Sequence, residues 1–330
     1  MITDRQSKLA RSFALLACIS APLAATSAAR AQTYPDRAMR IVVGTAPSTP
    51  TDIVSRIIAG ELQKTEGWTV IIENKPGAVN TLGAREVAQA PADGYSIFAA
   101  SMPITAAGAL LPNSQVDMVR DFAPVIKATV SYNALVTKPT LQVNSMKELV
   151  EMLKKNPGKM NYSSGGYGTP AHLVGELFKL ETKVDVAHVP YQVIPQAIQD
   201  LMGGVNDYMF ITTLPVVELV AAGKLKALAV TSAKPLASFK DVPSVVDQGF
   251  PALAVADWVG FLMRQGTPPE MVTKVNAAMN KALANPAVRD TLERIGAEVQ
   301  GGTPAEFGAF VKAQVQQWEG VVKQANIKMQ

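Results

Sequence analysis

Apolar and polar positions along this 330-residue chain switch repeatedly between a two-residue and a 3.6-residue period. Met39 to Val43 is a short run rich in β-branched residues that reads as a buried strand. A polar turn, Gly44 to Thr49, follows, and then Ile53, Val54, Ile57, Ile58 and Leu62 recur on one face of a helix. The helix start is marked by Thr49 as N-cap, Pro50 at the first position, where a missing N–H is harmless, and Asp52 at capping-box spacing. The same succession predicts strands over 70–73, 95–100, 161–163, 186–189, 208–211 and 227–231. Helices are predicted over 81–90, 145–155, 169–180, 195–202 and 214–222. Two more helix starts stand at Thr267-Pro268-Pro269-Glu270 and Thr303-Pro304-Ala305-Glu306, and because they follow loops rather than strands they read as structural caps. Such alternation implies parallel sheets with helices on their faces, an α/β fold.

The first 31 residues fall outside this pattern. Arg5, Lys8 and Arg11 precede an apolar stretch, Phe13 to Ala25, too short to span a bilayer, and Ala29-Arg30-Ala31 is a small-residue cleavage signal. A cleavable export signal over residues 1–31 is expected, with the mature chain beginning at Gln32. The segment changes the charge reading. The whole chain has 31 basic and 27 acidic residues, a net +4, but four of those bases and one acid lie in the signal. A balance near neutrality leaves no electrostatic footprint for nucleic acid or for an anionic membrane. The single cysteine, Cys18, also lies in the signal, in a poor match to a lipoprotein box. The mature chain therefore has no disulfide, thiol nucleophile or cysteine metal ligand, and it is long enough for two domains built on ordinary cores.

Catalytic signatures are sparse. The two histidines, His172 and His188, lack partners at metal spacing and read as packed side chains. There is no nucleophile elbow, P-loop or paired-carboxylate motif, and Gly165-Gly166-Tyr167-Gly168 has the wrong spacing for a dinucleotide. No enzyme activity, cofactor or metal is expected. Binding is better supported. Three polar turns each follow a strand and precede a helix: 47–50, 76–81 and 163–169. In open α/β sheets such turns gather beyond the carboxyl ends of the strands, where backbone N–H groups and hydroxyls suit a carboxylate.

With those turns in view, the chain resembles the Bug-type periplasmic solute receptors of tripartite tricarboxylate transporters. The resemblance runs through most of the mature chain: Tyr34-Pro35-Asp36-Arg37, Arg40 to Val43, Ala46-Pro47, Pro50-Thr51-Asp52, Glu73 to Ala78, Asp93-Gly94-Tyr95 and Asp121 to Val125. It continues in Pro157-Gly158-Lys159, Tyr162 to Gly165, Val189-Pro190-Tyr191, Ala222 to Leu225 and Asp241 to Ser244. The resemblance implies a two-lobed periplasmic binding protein of type II, each lobe a mainly parallel sheet flanked by helices, joined by two crossover segments and closing like a Venus flytrap. Lobe one would comprise 34–132 with 256–330, and lobe two 133–255. The implied function is capture of a small organic carboxylate by a monomer and its delivery to the membrane permease subunits. Delivery to a membrane sensor, or an enzyme acting on a carboxylate, are the alternatives.

The contacts expected on this basis are Ser48, Thr49, Val79, Asn80 and Thr81 from lobe one and Ser163, Ser164, Tyr167, Gly168 and Thr169 from lobe two. Ser101, Gln192 and Thr212 are secondary candidates. The chain departs from the family pattern at Ser48-Thr49 and Val79-Asn80, where a Gly-Gly pair is usual, at Gln192-Val193 in place of Lys-Gly, and at Ile211, where Asp is common. These changes predict a more apolar pocket. The expected ligand has an apolar or aromatic body and one or two carboxylates, rather than an amino acid whose ammonium would want an acid nearby.

Overall fold

The computed structural model describes residues 34–239 and 241–329. The expected signal segment, with Cys18 and the cleavage point, lies outside the described residues. The architecture below is that of the compact unit that begins at Arg37.

In chain order the elements begin with β1 (Met39–Val43), α1 (Pro50–Glu66), β2 (Val70–Asn74), α2 (Thr81–Gln89) and β3 (Ser96–Ser101). A short α3 (Ala107–Leu110) leads to β4 (Phe122–Ser131) and β5 (Asn133–Thr137), then α4 (Met146–Lys155), β6 (Asn161–Ser164), α5 (Pro170–Thr182) and β7 (Ala187–Pro190). There follow α6 (Ile194–Met202), β8 (Tyr208–Thr212), α7 (Val217–Ala221), β9 (Lys226–Val230) and β10 (Asp257–Arg264). The chain ends with α8 (Pro269–Ala284), α9 (Pro286–Arg294), β11 (Glu298–Val299) and α10 (Pro304–Gln324).

The strands form two sheets, ordered β11-β4-β10-β3-β1-β2 and β7-β6-β8-β5-β9. β1 lies parallel between β2 and β3, and β6 parallel between β7 and β8, as alternation with helices requires. The sheets are nevertheless mixed, not mainly parallel. β10 runs antiparallel to both β3 and β4, β11 antiparallel to β4, and β5 antiparallel to β8 and β9. The cause is the crossing. The chain leaves the first sheet at Ser131 and enters the second at Asn133 with one residue between them, and β10 brings it back alongside, Asp257 opposite Ser131. Two strands crossing the same gap in opposite senses must pair antiparallel.

The sequence pattern hid these crossing strands. Pro124 interrupts β4, opposite Leu262 at a register shift in the β10 ladder, and β10 is buried along nearly its whole length, so neither shows a clean two-residue period. Their packing is specific all the same. The rings of Phe307 and Phe310 on α10 stand edge-on to Trp258 on β10, at 5.6 and 5.8 Å. A β-carbon at Gly260 would collide with the Phe307 ring, so glycine is what lets α10 lie this close to the sheet. The crossing is tied laterally as well: the Asn133 N–H donates to Thr231 Oγ1 (3.0 Å) and the Thr231 N–H to the Asn133 carbonyl (2.8 Å).

Candidate functional site

A cleft of about 360 Å³ opens at the carboxyl ends of the parallel strands of both sheets. From the first sheet it is lined by Thr45 and Thr49–Thr51 after β1, Val79 and Asn80 after β2, Ser101 at the end of β3 and Pro103 just beyond it. The second sheet contributes Gly165 and Tyr167–Ala171 after β6, Ile194, and Phe210–Thr212 at the end of β8. The crossing strands add their first residues, Asn133 of β5 and Asp257 of β10.

Four helices, α1, α2, α5 and α6, begin at this cleft, and three of them begin without a side-chain cap. At α1 the Thr49 hydroxyl donates to the Ala46 carbonyl (2.8 Å) and lies 2.6 Å from Thr45 Oγ1, so it is not turned to the helix. At α2 the Asn80 Nδ2 donates to Ser101 Oγ (3.0 Å), again away from its helix. Only α5 is capped, weakly, by Thr169 Oγ1 accepting from the His172 N–H at 3.4 Å. First-turn N–H groups left open in this way, at the positive ends of helix dipoles, form a ready anion site.

The backbone explains why glycine would suit the departures noted above. Ser48 has φ 65°, and Ala78, Val79 and Asn80 have φ 47°, 52° and 67°, all in the left-handed region. For a β-branched residue such as Val79 this is strained, a feature that concentrates at ligand sites. The Val79 side chain reaches toward Gly168, where an added β-carbon would lie 3.1 Å from it; with its own φ of 74°, Gly168 is a position only glycine occupies comfortably.

Among the described residues no Lys, Arg or His lines the cleft, and its ionisable lining groups are Asp257 and Tyr167. Asp257 Oδ1 accepts from the Trp258 N–H (2.9 Å) and the Met102 N–H (3.3 Å). Burial pushes its carboxyl up to about 6, against the pull of those two N–H groups. Asn133, 1 % exposed, has a side-chain N–H₂ with no hydrogen-bond partner among the described residues. Just behind the lining, the buried carboxylate of Asp52 accepts from the Ser48 N–H (2.9 Å) and Asn74 Nδ2 (2.9 Å) and pairs with Arg56.

Behind the second wall, the loop after β6 is held by a cluster of rings. Ser164 Oγ and His188 Nε2 are 2.7 Å apart, the Gly168 N–H donates to His172 Nδ1 (3.1 Å), and the two imidazoles lie 4.4 Å apart. Tyr167 stands edge-on to both. Burial lowers both histidines to about 4, with Lys179 adding to the effect at His172, and His172 and Lys179 at His188. Both are neutral at neutral pH and position the loop.

Of the residues expected from sequence, Thr49, Val79, Asn80, Ser101, Tyr167, Gly168, Thr169 and Thr212 line the cleft. Five do not. Ser48 is exposed and its N–H is taken by Asp52; Thr81 is buried, its hydroxyl donating to the Ala78 carbonyl (2.8 Å). Ser163 and Ser164 belong to β6 itself, the first fully buried and the second engaged by His188, while Gln192 is exposed. The sequence reading missed Thr45, Asn133, Ile194, Phe210 and, above all, Asp257. A lone acid in the apolar run from Val255 to Met263 was the available signal. Asp257 puts an acid into the lining of a pocket that the sequence predicts to be more apolar.

The profile of the family described as "Tripartite tricarboxylate transporter family receptor" matches residues 54–327. Protein BugT of Bordetella pertussis (strain Tohama I) is 30% identical over 319 residues, covering 96% of each chain. Among solved structures, periplasmic binding protein BugD is 33% identical with a TM-score of 0.76, over 90% of this chain and 100% of that one. R. palustris Rpa4515 with adipate is 31% identical with a TM-score of 0.77, over the same shares. The two-lobed binding-protein fold is thereby shared across the length of these neighbours, and the chain belongs to the tripartite tricarboxylate transporter receptor family.

Proposed function

We propose that this protein is a non-catalytic periplasmic receptor that captures a small organic carboxylate and delivers it to the permease of a tripartite tricarboxylate transporter. The observation that carries the reading is the convergence of four helix N-termini, from both sheets, on one cleft that has no cationic side chain in its lining among the described residues. Backbone N–H groups would hold the carboxylate, with Thr49, Asn80 and Thr169 beside it, and Val79, Pro103, Ile194 and Phe210 would cover an apolar body. Closure would be a hinge motion about the crossing at residues 131–133 and 255–257, stabilised by contacts that a ligand makes with both walls. Export by the N-terminal signal would bring the receptor to where such solutes arrive. The likeness to a structure holding adipate supports the ligand class.

Native mass spectrometry of the purified protein tests the reading by identifying the ligand it carries from the host. An organic acid is expected; a retained sugar or other uncharged solute would refute it. A thermal-shift panel of carboxylates is the second arm, where a ligand at one hundred times its dissociation constant adds about 2.7 kcal/mol.

A further inference from the structure

Asp257 is the residue that the carboxylate reading leaves unused. One of its oxygens, Oδ1, accepts both backbone N–H groups, and no hydrogen bond occupies Oδ2 among the described residues. An asparagine would accept those same two bonds without a charge. An acid kept in a mostly apolar wall is costly unless something in the cleft offsets it. No described side chain of the lining does, since none is basic. Donors, by contrast, are in surplus: the open first turns of α1 and α2, and the Asn133 side-chain N–H₂, buried and without a partner among the described residues. The cleft is thus bipolar, with several donors and one free acidic acceptor.

We infer that Asp257 is the specificity-determining residue of this cleft, and that the ligand is a carboxylate carrying a protonated amine or a strongly donating N–H, which Asp257 receives. The inference rests on the carboxylate reading above and narrows it. A second carboxylate brought to Asp257 would meet a like charge, whereas an ammonium would make a charge-assisted hydrogen bond in a partly water-free space.

Two matched series, titrated calorimetrically at pH 7.5, separate the possibilities. One is adipate, hexanoate and 6-aminohexanoate; the other is terephthalate, 4-methylbenzoate and 4-(aminomethyl)benzoate. The body is kept within each series while the far end goes from negative to neutral to positive. In the wild type the amino member is expected to bind about tenfold or more tighter than the neutral one, with the dicarboxylate weakest. Asp257→Asn keeps the Oδ1 acceptor, so a melting temperature no lower than that of the wild type controls for folding, and the variant should lose the preference. If the neutral or dicarboxylic member binds as tightly as the amino one, the inference is overturned and the carboxylate reading stands. If no carboxylate of the six or of the thermal-shift panel binds, the carboxylate reading fails and takes the inference with it.

Discussion

Two helices of this protein start with nearly the same letters and end up in opposite states. Helix α10 begins Thr303-Pro304-Ala305-Glu306 and α1 begins Thr49-Pro50-Thr51-Asp52. At α10 the box closes: Thr303 Oγ1 accepts from the Glu306 N–H (3.2 Å) and Glu306 Oε2 accepts from the Thr303 N–H (2.8 Å). At α1 it stays open. Asp52, one methylene shorter, bypasses Thr49 and takes the N–H of Ser48, whose left-handed backbone presents it, while the Thr49 hydroxyl is drawn off to Ala46 and Thr45. The closed start faces solvent and the open one faces the cleft. A capping motif therefore states where a helix begins, and the residues upstream decide whether its first N–H groups are already satisfied.

The largest effect expected from breaking this arrangement is at Asp52. It is 2 % exposed and holds the Ser48 N–H, Asn74 and Arg56 together; although burial pushes its carboxyl up, the bonds from Arg56, Asn74 and Ser48 bring it below the ordinary value. Asp52→Ala would strand those donors and is expected to lower stability by about 3 kcal/mol. Because the same residue fixes the loop at the open helix start, carboxylate binding should fall with it. Chemical denaturation and calorimetry on the variant measure both; a loss of stability with unchanged affinity would show that the loop is held by other means.

The third helix start, at α5, depends on histidines and so on pH. His172 and His188 have pKa values depressed to about 4, below their unfolded value near 6.5. Their contribution is complete above 6.5 and is lost as pH falls toward 4, because the unfolded chain takes up protons that the folded one refuses. Asp257, raised to about 6, works the other way: its buried charge is relieved as pH falls through 6. The histidines outnumber it, so a net loss on the order of 2 kcal/mol is expected from pH 7 to 4. His188→Gln, which keeps an amide near Ser164, should flatten the melting temperature profile, and Asp257→Asn should raise the melting temperature at pH 7.5 while steepening its fall in acid. An unchanged profile in both variants would assign the acid sensitivity to other groups.

How much of this was legible in the sequence follows from where each signal lies. The βα units were readable because a strand, a polar turn and a helix start succeed one another within about twenty residues, and the loops after β1, β2 and β6 supplied most of the cleft residues anticipated. β4, β5 and β10 were not, since strands buried on both faces carry no period and Pro124 argues against one. The site residues they carry, Asn133 and Asp257, were lost with them: 124 positions separate the two in sequence, and only the antiparallel crossing brings their strands together. Ser163 and Ser164 failed for the converse reason. Ser163 reads both as the end of the strand predicted over 161–163 and as the start of the polar turn, and Ser164 reads as loop, yet both pair with β7 and are consumed by the sheet.

The smallest effects discriminate best between the two helix starts. Thr303→Ala removes a working cap and should cost about 1 kcal/mol of stability with no change in ligand affinity. Thr49→Ala removes a hydroxyl that does not cap its helix but lines the cleft, so stability should change by less than about 0.5 kcal/mol while carboxylate affinity weakens. Melting curves and titrations on the pair give a crossed pattern if the open start at α1 is kept for a ligand. Equal stability losses and equal affinities in the two variants would mean that both helices are capped for structure alone, and that the carboxylate is held elsewhere in the cleft.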